Sequence, residues 1–219
     1  MQAVIFDMDG VLMDSEPLYR QHLEIFLIKL GVNDPTKLVH NLKGLNSLRT
    51  SELLIETFDL PYENDELTTI SRKAYLEYLQ GLPALPSVPG AVSFVKQLAE
   101  AGHPLALASS ASRVRIDMFL SKLKLKEYFK VIACADDAVR SKPAPDIFLL
   151  AAQRLGAEPA NCVVIEDAEN GVIAAKAAGM KCIAYGGADH NTDNLLAADV
   201  IIKDFDRFVS ALRPGKLPV

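Results

Sequence analysis

Few cysteines, no long uncharged apolar run and no basic tract set the first limits on this chain of 219 residues. The three cysteines, Cys134, Cys162 and Cys182, lie far apart in apolar runs and lack CxxC spacing. A disulfide framework is therefore not expected, and the cysteines read as buried, reduced thiols in a cytoplasmic protein. The four histidines, His22, His40, His103 and His190, are scattered without the spacing of zinc ligands. No apolar stretch is long and uncharged enough for a transmembrane helix, and no basic segment precedes an apolar one as in a secretory signal. A net charge of −5 and a pI near 5.4 leave no tract for nucleic acid or a membrane surface. Phosphate could still bind, but only at a local site. No GxGxxG follows the first apolar run, which argues against a dinucleotide-binding oxidoreductase. There are no internal repeats and no low-complexity segments.

Half of the residues are hydrophobic, enough for a sizeable core. Six short apolar runs read as strands buried on both faces: 3–7, 104–109, 131–135, 162–167, 181–185 and 199–204. Helical periodicity lies between them, at 91–101, 112–123, 144–155 and 169–178. Alternating strands and helices predict an α/β protein, a Rossmann-like parallel sheet with helices on both faces. Residues 18 to 82 break that alternation. Tyr19, Leu23, Phe26 and Leu30 share one helical face, and Leu67, Ile70, Ala74 and Tyr78 share another, with a further helix expected at 47–58. Such a segment is too long for an ordinary crossover connection. The expected organisation is a core of 1–14 and 88–219 with an inserted α-helical cap of 15–87. "DSEP" leads in, with Ser15 a candidate helix cap and Pro17 in the first turn. The proline-rich "LPALPSVPG" leads out.

Chemistry-bearing residues gather at the C-terminal ends of the expected strands. Asp7 and Asp9 follow the first, Ser109 the second, Lys142 the third after a loop, and Glu166 and Asp167 end the fourth. In parallel sheets ligands bind outside those ends, where strand order reverses. Four carboxylates brought together cannot all stay ionised unaided. A hard divalent cation with oxygen ligands, Mg2+, would compensate them. Lys142 adds a positive charge and Ser109 a hydroxyl. The set suits a phosphoryl group whose oxygens must be neutralised and held, and a carboxylate beside it could attack to form an aspartyl phosphate. Each residue alone has a plainer reading, as a turn, a helix cap or a solvated charge. Their order and shared position favour the functional one.

"FDMDGVLMDSEP", "ALASSAS", "SKPAPDIF" and "VVIEDAENGVIAAKAAGM" resemble the four motifs of the haloacid dehalogenase-like superfamily. The resemblance covers the whole chain. It points to the subgroup with a helical cap after motif one, which includes β-phosphoglucomutase and small sugar-phosphate phosphatases. It implies Asp7 as nucleophile, Asp9 as general acid and then base, and Ser109 and Lys142 as phosphate ligands. Mg2+ would be held by the Asp7 carboxylate, the Asp9 backbone carbonyl and Asp167, with Glu166 at the edge of the metal site in its outer shell. Two departures stand out. Tyr19 occupies the place of a histidine that supports the mutase cycle, and Ala168 replaces a serine frequent in motif four. Residues 42–52 resemble the cap's substrate-specificity loop. There Arg49 is either a substrate ligand or a surface arginine, and Glu16 either bonds a substrate hydroxyl or favours a helix N-terminus.

The leading expectation is a monomeric Mg2+-dependent phosphatase acting on a small phosphorylated metabolite, a sugar or sugar-alcohol phosphate. The alternatives are a phosphosugar mutase of the β-phosphoglucomutase type and a non-catalytic phosphate-binding regulator.

Overall fold

The computed structural model describes residues 2–40, 42, 45, 47–187 and 192–210. Six strands form one parallel sheet: β1 (Ala3–Phe6), β2 (Leu105–Ala108), β3 (Val131–Ala133), β4 (Cys162–Glu166), β5 (Lys181–Tyr185) and β6 (Val200–Ile202). Their order is β3-β2-β1-β4-β5-β6. The chain therefore builds outwards from β1 on one side, returns, and builds outwards from β4 on the other. The order reverses between β1 and β4, where Ala3 pairs Cys162 and Phe6 pairs Ile165. Every residue of β1, β2 and β4 is buried, as strands covered on both faces require. This accounts for their unbroken apolar sequences.

Contacts divide the chain into two units, one of residues 1–14 and 85–219 and one of residues 15–84. Besides the sheet, the first holds α5 (Ala91–Glu100), α6 (Arg113–Leu123), α7 (Asp146–Leu155), α8 (Glu169–Ala177) and α9 (Phe205–Ser210). One layer of its core joins Ile5, Val164 and Cys182 of the sheet to Phe148, Ala151, Val172 and Ala175 of α7 and α8. On the other face Phe6 meets Phe94 and Phe129 edge-on, and Phe94 packs on Phe205. All three cysteines are buried thiols.

The second unit is helical: α1 (Glu16–Lys29), α2 (Thr36–Val39), α3 (Ser47–Phe58) and α4 (Asn64–Gly81). Leu23, Phe26 and Leu27 of α1 pack with Val39, Leu54, Leu60 and Leu67 into its core. Ser15 stands at the N-cap of α1 but its hydroxyl makes no capping bond, contrary to the expectation from sequence. Its backbone is already in the helical region, which does not present the hydroxyl to the first turn as an extended N-cap would. Among the described residues no helix is long and apolar enough to cross a membrane. His190 and Gly44, with Lys43 and Asn46 of the 42–52 loop, lie outside the described residues.

Candidate active site

The chain leaves β1 through a tight turn. The Asp7 N–H donates to the Ile165 carbonyl at 2.9 Å, tying the end of β1 to β4. Gly10 then takes a left-handed φ of +74°, and its N–H donates to the Met13 carbonyl at 2.8 Å. Glycine is needed here twice over. The φ disfavours any side chain, and a Cβ would lie 1.9 Å from Oδ2 of Asp167. The turn after β1 and the end of β4 thus meet face to face, at the reversal of strand order.

Lys142 lies at the centre of this meeting. Its Nζ donates to Asp7 Oδ1 at 2.7 Å and to Glu166 Oε1 at 2.6 Å, and sits 4.7 Å from the centre of the Phe148 ring. The ammonium and both carboxylates are almost wholly buried. Burial alone would lower the lysine pKa, but the Asp7 and Glu166 charges outweigh it and hold the ammonium above its ordinary range. Burial pushes Asp7 up to about 7; Lys142 opposes the rise, while the Glu166 and Asp9 charges add to it. Asp167 is raised well above the usual carboxylate range by burial first, then by the charges of Glu166 and Asp7.

Glu166 does more than sequence suggests. While Oε1 accepts from Lys142, Oε2 accepts from the N–H groups of Asp167 and Ala168 at 2.7 and 2.8 Å. Ala168 is the N-cap residue of α8 and has no side chain with which to cap; Glu166 instead holds the N–H of that residue and of the one before it. Its carboxylate lies against Gly171, where a Cβ would come within 1.8 Å of Oε1. Both oxygens are thus engaged by protein donors. Glu166 thereby links Lys142 to the loop that carries Asp167.

Asp9 faces elsewhere. Its Oδ2 accepts from the guanidinium of Arg115 on α6, a contact the sequence did not suggest. Its Oδ1 is buried with no hydrogen-bond partner among the described residues. Ser109 is buried at the end of β2, where its hydroxyl accepts from the Ala111 N–H at 3.1 Å and its own N–H donates to the Ala133 carbonyl at 3.1 Å. Glu16 and Arg49 belong to the helical unit. Glu16 lies 4.0 Å from Arg20 one turn on, and Arg49 bonds Glu52 along α3.

The acidic residues fit a divalent cation. Among the described residues the ion pairs of Asp7, Asp9 and Glu166 are with Lys142 and Arg115, so with Asp167 two negative charges stay unbalanced when all four ionise. Among the described residues no three acidic, histidine or cysteine side chains form a ready cage. A ligand set of two carboxylates, Asp7 and Asp167, completed by a backbone carbonyl does not require one, and suits Mg2+, which keeps several waters.

The sequence model of the haloacid dehalogenase-like hydrolases matches residues 4–185. A bifunctional riboflavin kinase/FMN phosphatase of Arabidopsis thaliana is 34% identical over 201 residues, 91% of this chain and 52% of that protein. The chain therefore spans about half the length of that relative. A fructose-1-phosphate phosphatase of Escherichia coli is 33% identical over 181 residues, 83% of this chain and 94% of that one. Among solved structures, a Thermotoga maritima protein provisionally described as a β-phosphoglucomutase superposes with a TM-score of 0.81 at 29% identity, covering 97% of this chain and 100% of that chain.

Proposed function

The chain belongs to the haloacid dehalogenase-like hydrolases and is a phosphoric monoester hydrolase, and on that premise we propose that it is a Mg2+-dependent phosphatase of sugar and sugar-alcohol phosphates. The observation that carries this reading is the buried Asp7, held by Lys142 at the point where strand order reverses.

Asp7 is the nucleophile. Lys142 fixes Oδ1, and the second oxygen attacks phosphorus, so that an aspartyl phosphate forms as the bond to the leaving sugar oxygen breaks. Asp9 supplies a proton to that oxygen. It then takes a proton from water, which attacks the phosphorus and releases inorganic phosphate while restoring the Asp7 carboxylate. Lys142 stays protonated and neutralises charge on the transferring group. Ser109 provides a hydroxyl at the end of β2. Hydrolases of this family generally use Mg2+; Asp7, Asp167 and the Asp9 carbonyl would hold it, and when bound it would neutralise phosphoryl oxygens. The choice among sugar phosphates is assigned to the helical unit, where Glu16 and Arg49 are the candidates.

A mutase is the second reading, favoured by the β-phosphoglucomutase-like neighbour. Against it stands Tyr19, which packs edge-on against Tyr75 at 5.2 Å and offers no imidazole. Phosphorus NMR of one hexose phosphate with the enzyme and Mg2+ separates the two. The phosphatase reading predicts growth of free phosphate alone. Migration of the phosphate to another carbon of the same sugar would replace it with the mutase.

A further inference from the structure

The Asp9–Arg115 contact has no part in the functions assigned above to Lys142, Ser109 and the metal ligands. Arg115 sits in the first turn of α6. A cation there opposes the helix dipole, and α6 has no acidic residue in its first turn. Its neighbour Arg113 has its own partner, Asp117, at 3.0 Å. The Arg115 side chain instead crosses to the turn after β1 and is largely buried there. Only Oδ2 of Asp9 is taken, and Oδ1 is left buried and without a partner among the described residues.

We propose that Arg115 is a positioning residue that clamps Asp9 by one carboxylate oxygen and so directs the other at the leaving group. The proposal rests on the reading of Asp9 as the proton donor. Arg115 itself touches neither the reacting phosphorus nor the proton in transit. An aspartate two residues beyond the nucleophile, beside Gly10, has several rotamers open to it, and a fixed second oxygen selects one. Guanidinium suits this task because its rigid planar N–H groups fix the direction of the bond to Oδ2. Lysine retains the charge but not the plane.

The test compares two leaving groups. The full chain is assayed with Mg2+ on the alkyl phosphate it hydrolyses fastest and on p-nitrophenyl phosphate, whose departing oxygen needs no proton. The value of kcat/KM reports the first transfer in both cases. Arg115→Met should lose about 10- to 100-fold on the alkyl phosphate, at or below the lower limit of about 10²-fold for acid–base catalysis because the acid itself remains, and keep most of its aryl activity. Arg115→Lys should recover part of the loss, and inhibition by inorganic phosphate should be unchanged in both. Asp9→Asn is run alongside. An alkyl-selective loss in Asp9→Asn but not in Arg115→Met overturns the positioning proposal and leaves the functional reading standing. If Asp9→Asn shows no such loss, the role of Asp9 fails and the proposal with it. Equal losses on both substrates, or weakened phosphate inhibition, would make Arg115 a structural or phosphate-binding residue instead.

Discussion

Replacing Gly171 by alanine adds one methyl group to the first turn of α8, where helix propensity alone favours alanine by about 1 kcal/mol. The site predicts the opposite. The new Cβ would lie 1.8 Å from Oε1 and 1.9 Å from Cδ of Glu166. The carboxylate cannot stay, and it is buried, so it cannot swing into water. Moving it stretches or breaks three bonds, to Lys142 at 2.6 Å and to the Asp167 and Ala168 N–H groups at 2.7 and 2.8 Å. Hydrogen bonds to charged groups contribute about 1.5–3 kcal/mol each, and disrupting a buried ion pair costs about 3–5 kcal/mol. Partial re-formation and the helix gain reduce the net loss to about 2–4 kcal/mol. For a chain of this length that is a fall in Tm of about 5–15 °C. Lys142 and the loop bearing Asp167 would also shift, and misplacement on the scale of an ångström lowers turnover by about 10²-fold. Thermal melting and steady-state kinetics of Gly171→Ala read both effects. A melting point at or above that of the parent, with unchanged kcat, would refute the role given to Glu166.

Asp9→Asn should slow hydrolysis of alkyl phosphates by about 10²- to 10⁴-fold, measured as phosphate release; a negligible effect would remove Asp9 from proton transfer. In Lys142→Met the cation between Asp7 and Glu166 disappears, and the buried carboxylates are left to repel each other. The variant should lose about 3–5 kcal/mol of stability, read as a lower urea midpoint, and a midpoint equal to the parent's would contradict the burial described for the pair. His22 is buried among Tyr19, Phe26, Tyr75 and Tyr78, and its Nε2 has no partner among the described residues. Burial lowers its pKa to about 4, while a hydrogen bond to the Ser71 backbone opposes the shift. Between the unfolded value of 6.5 and about 4 the unfolded chain binds the extra proton, so stability is full above that window and is lost as pH falls through it. The loss should reach about 3 kcal/mol and be missing from His22→Phe, as denaturant titrations at pH 7 and pH 4 would show; parallel pH profiles of the two proteins would contradict the buried neutral imidazole.

Much of the fold was legible because strands buried on both faces leave unbroken apolar runs. The runs at 3–7, 162–167 and 181–185 each hold a strand of the sheet, and between 18 and 82, where such runs are absent, the described residues form helices and no strand. Strand ends were read a residue or two long, taking in polar residues just outside the strands such as Asp7, Ser109, Asp167 and Asp204. The gathering of Asp7, Lys142 and Glu166 was legible for a related reason: residues at the C-terminal ends of parallel strands share one edge of the sheet. What could not be read were contacts set by side-chain direction. Arg115 lies 106 residues from Asp9 in sequence, on α6, and only its unfavourable place at a helix N-terminus hinted at a partner. Nothing in the sequence marks Gly171, because the reason for it lies in the Glu166 carboxylate beside it. For Glu166 the sequence shows the charge but not the three donors that engage it.

The most direct measurement is inorganic phosphate release from hexose and hexitol phosphates by the full chain, with Mg2+ and with chelator, beside Asp7→Asn. The account predicts release that needs the metal and vanishes in Asp7→Asn, whose amide is a poor nucleophile, while circular dichroism shows the fold kept. Release that survives the chelator, or that persists at the parent's rate in Asp7→Asn, would contradict it.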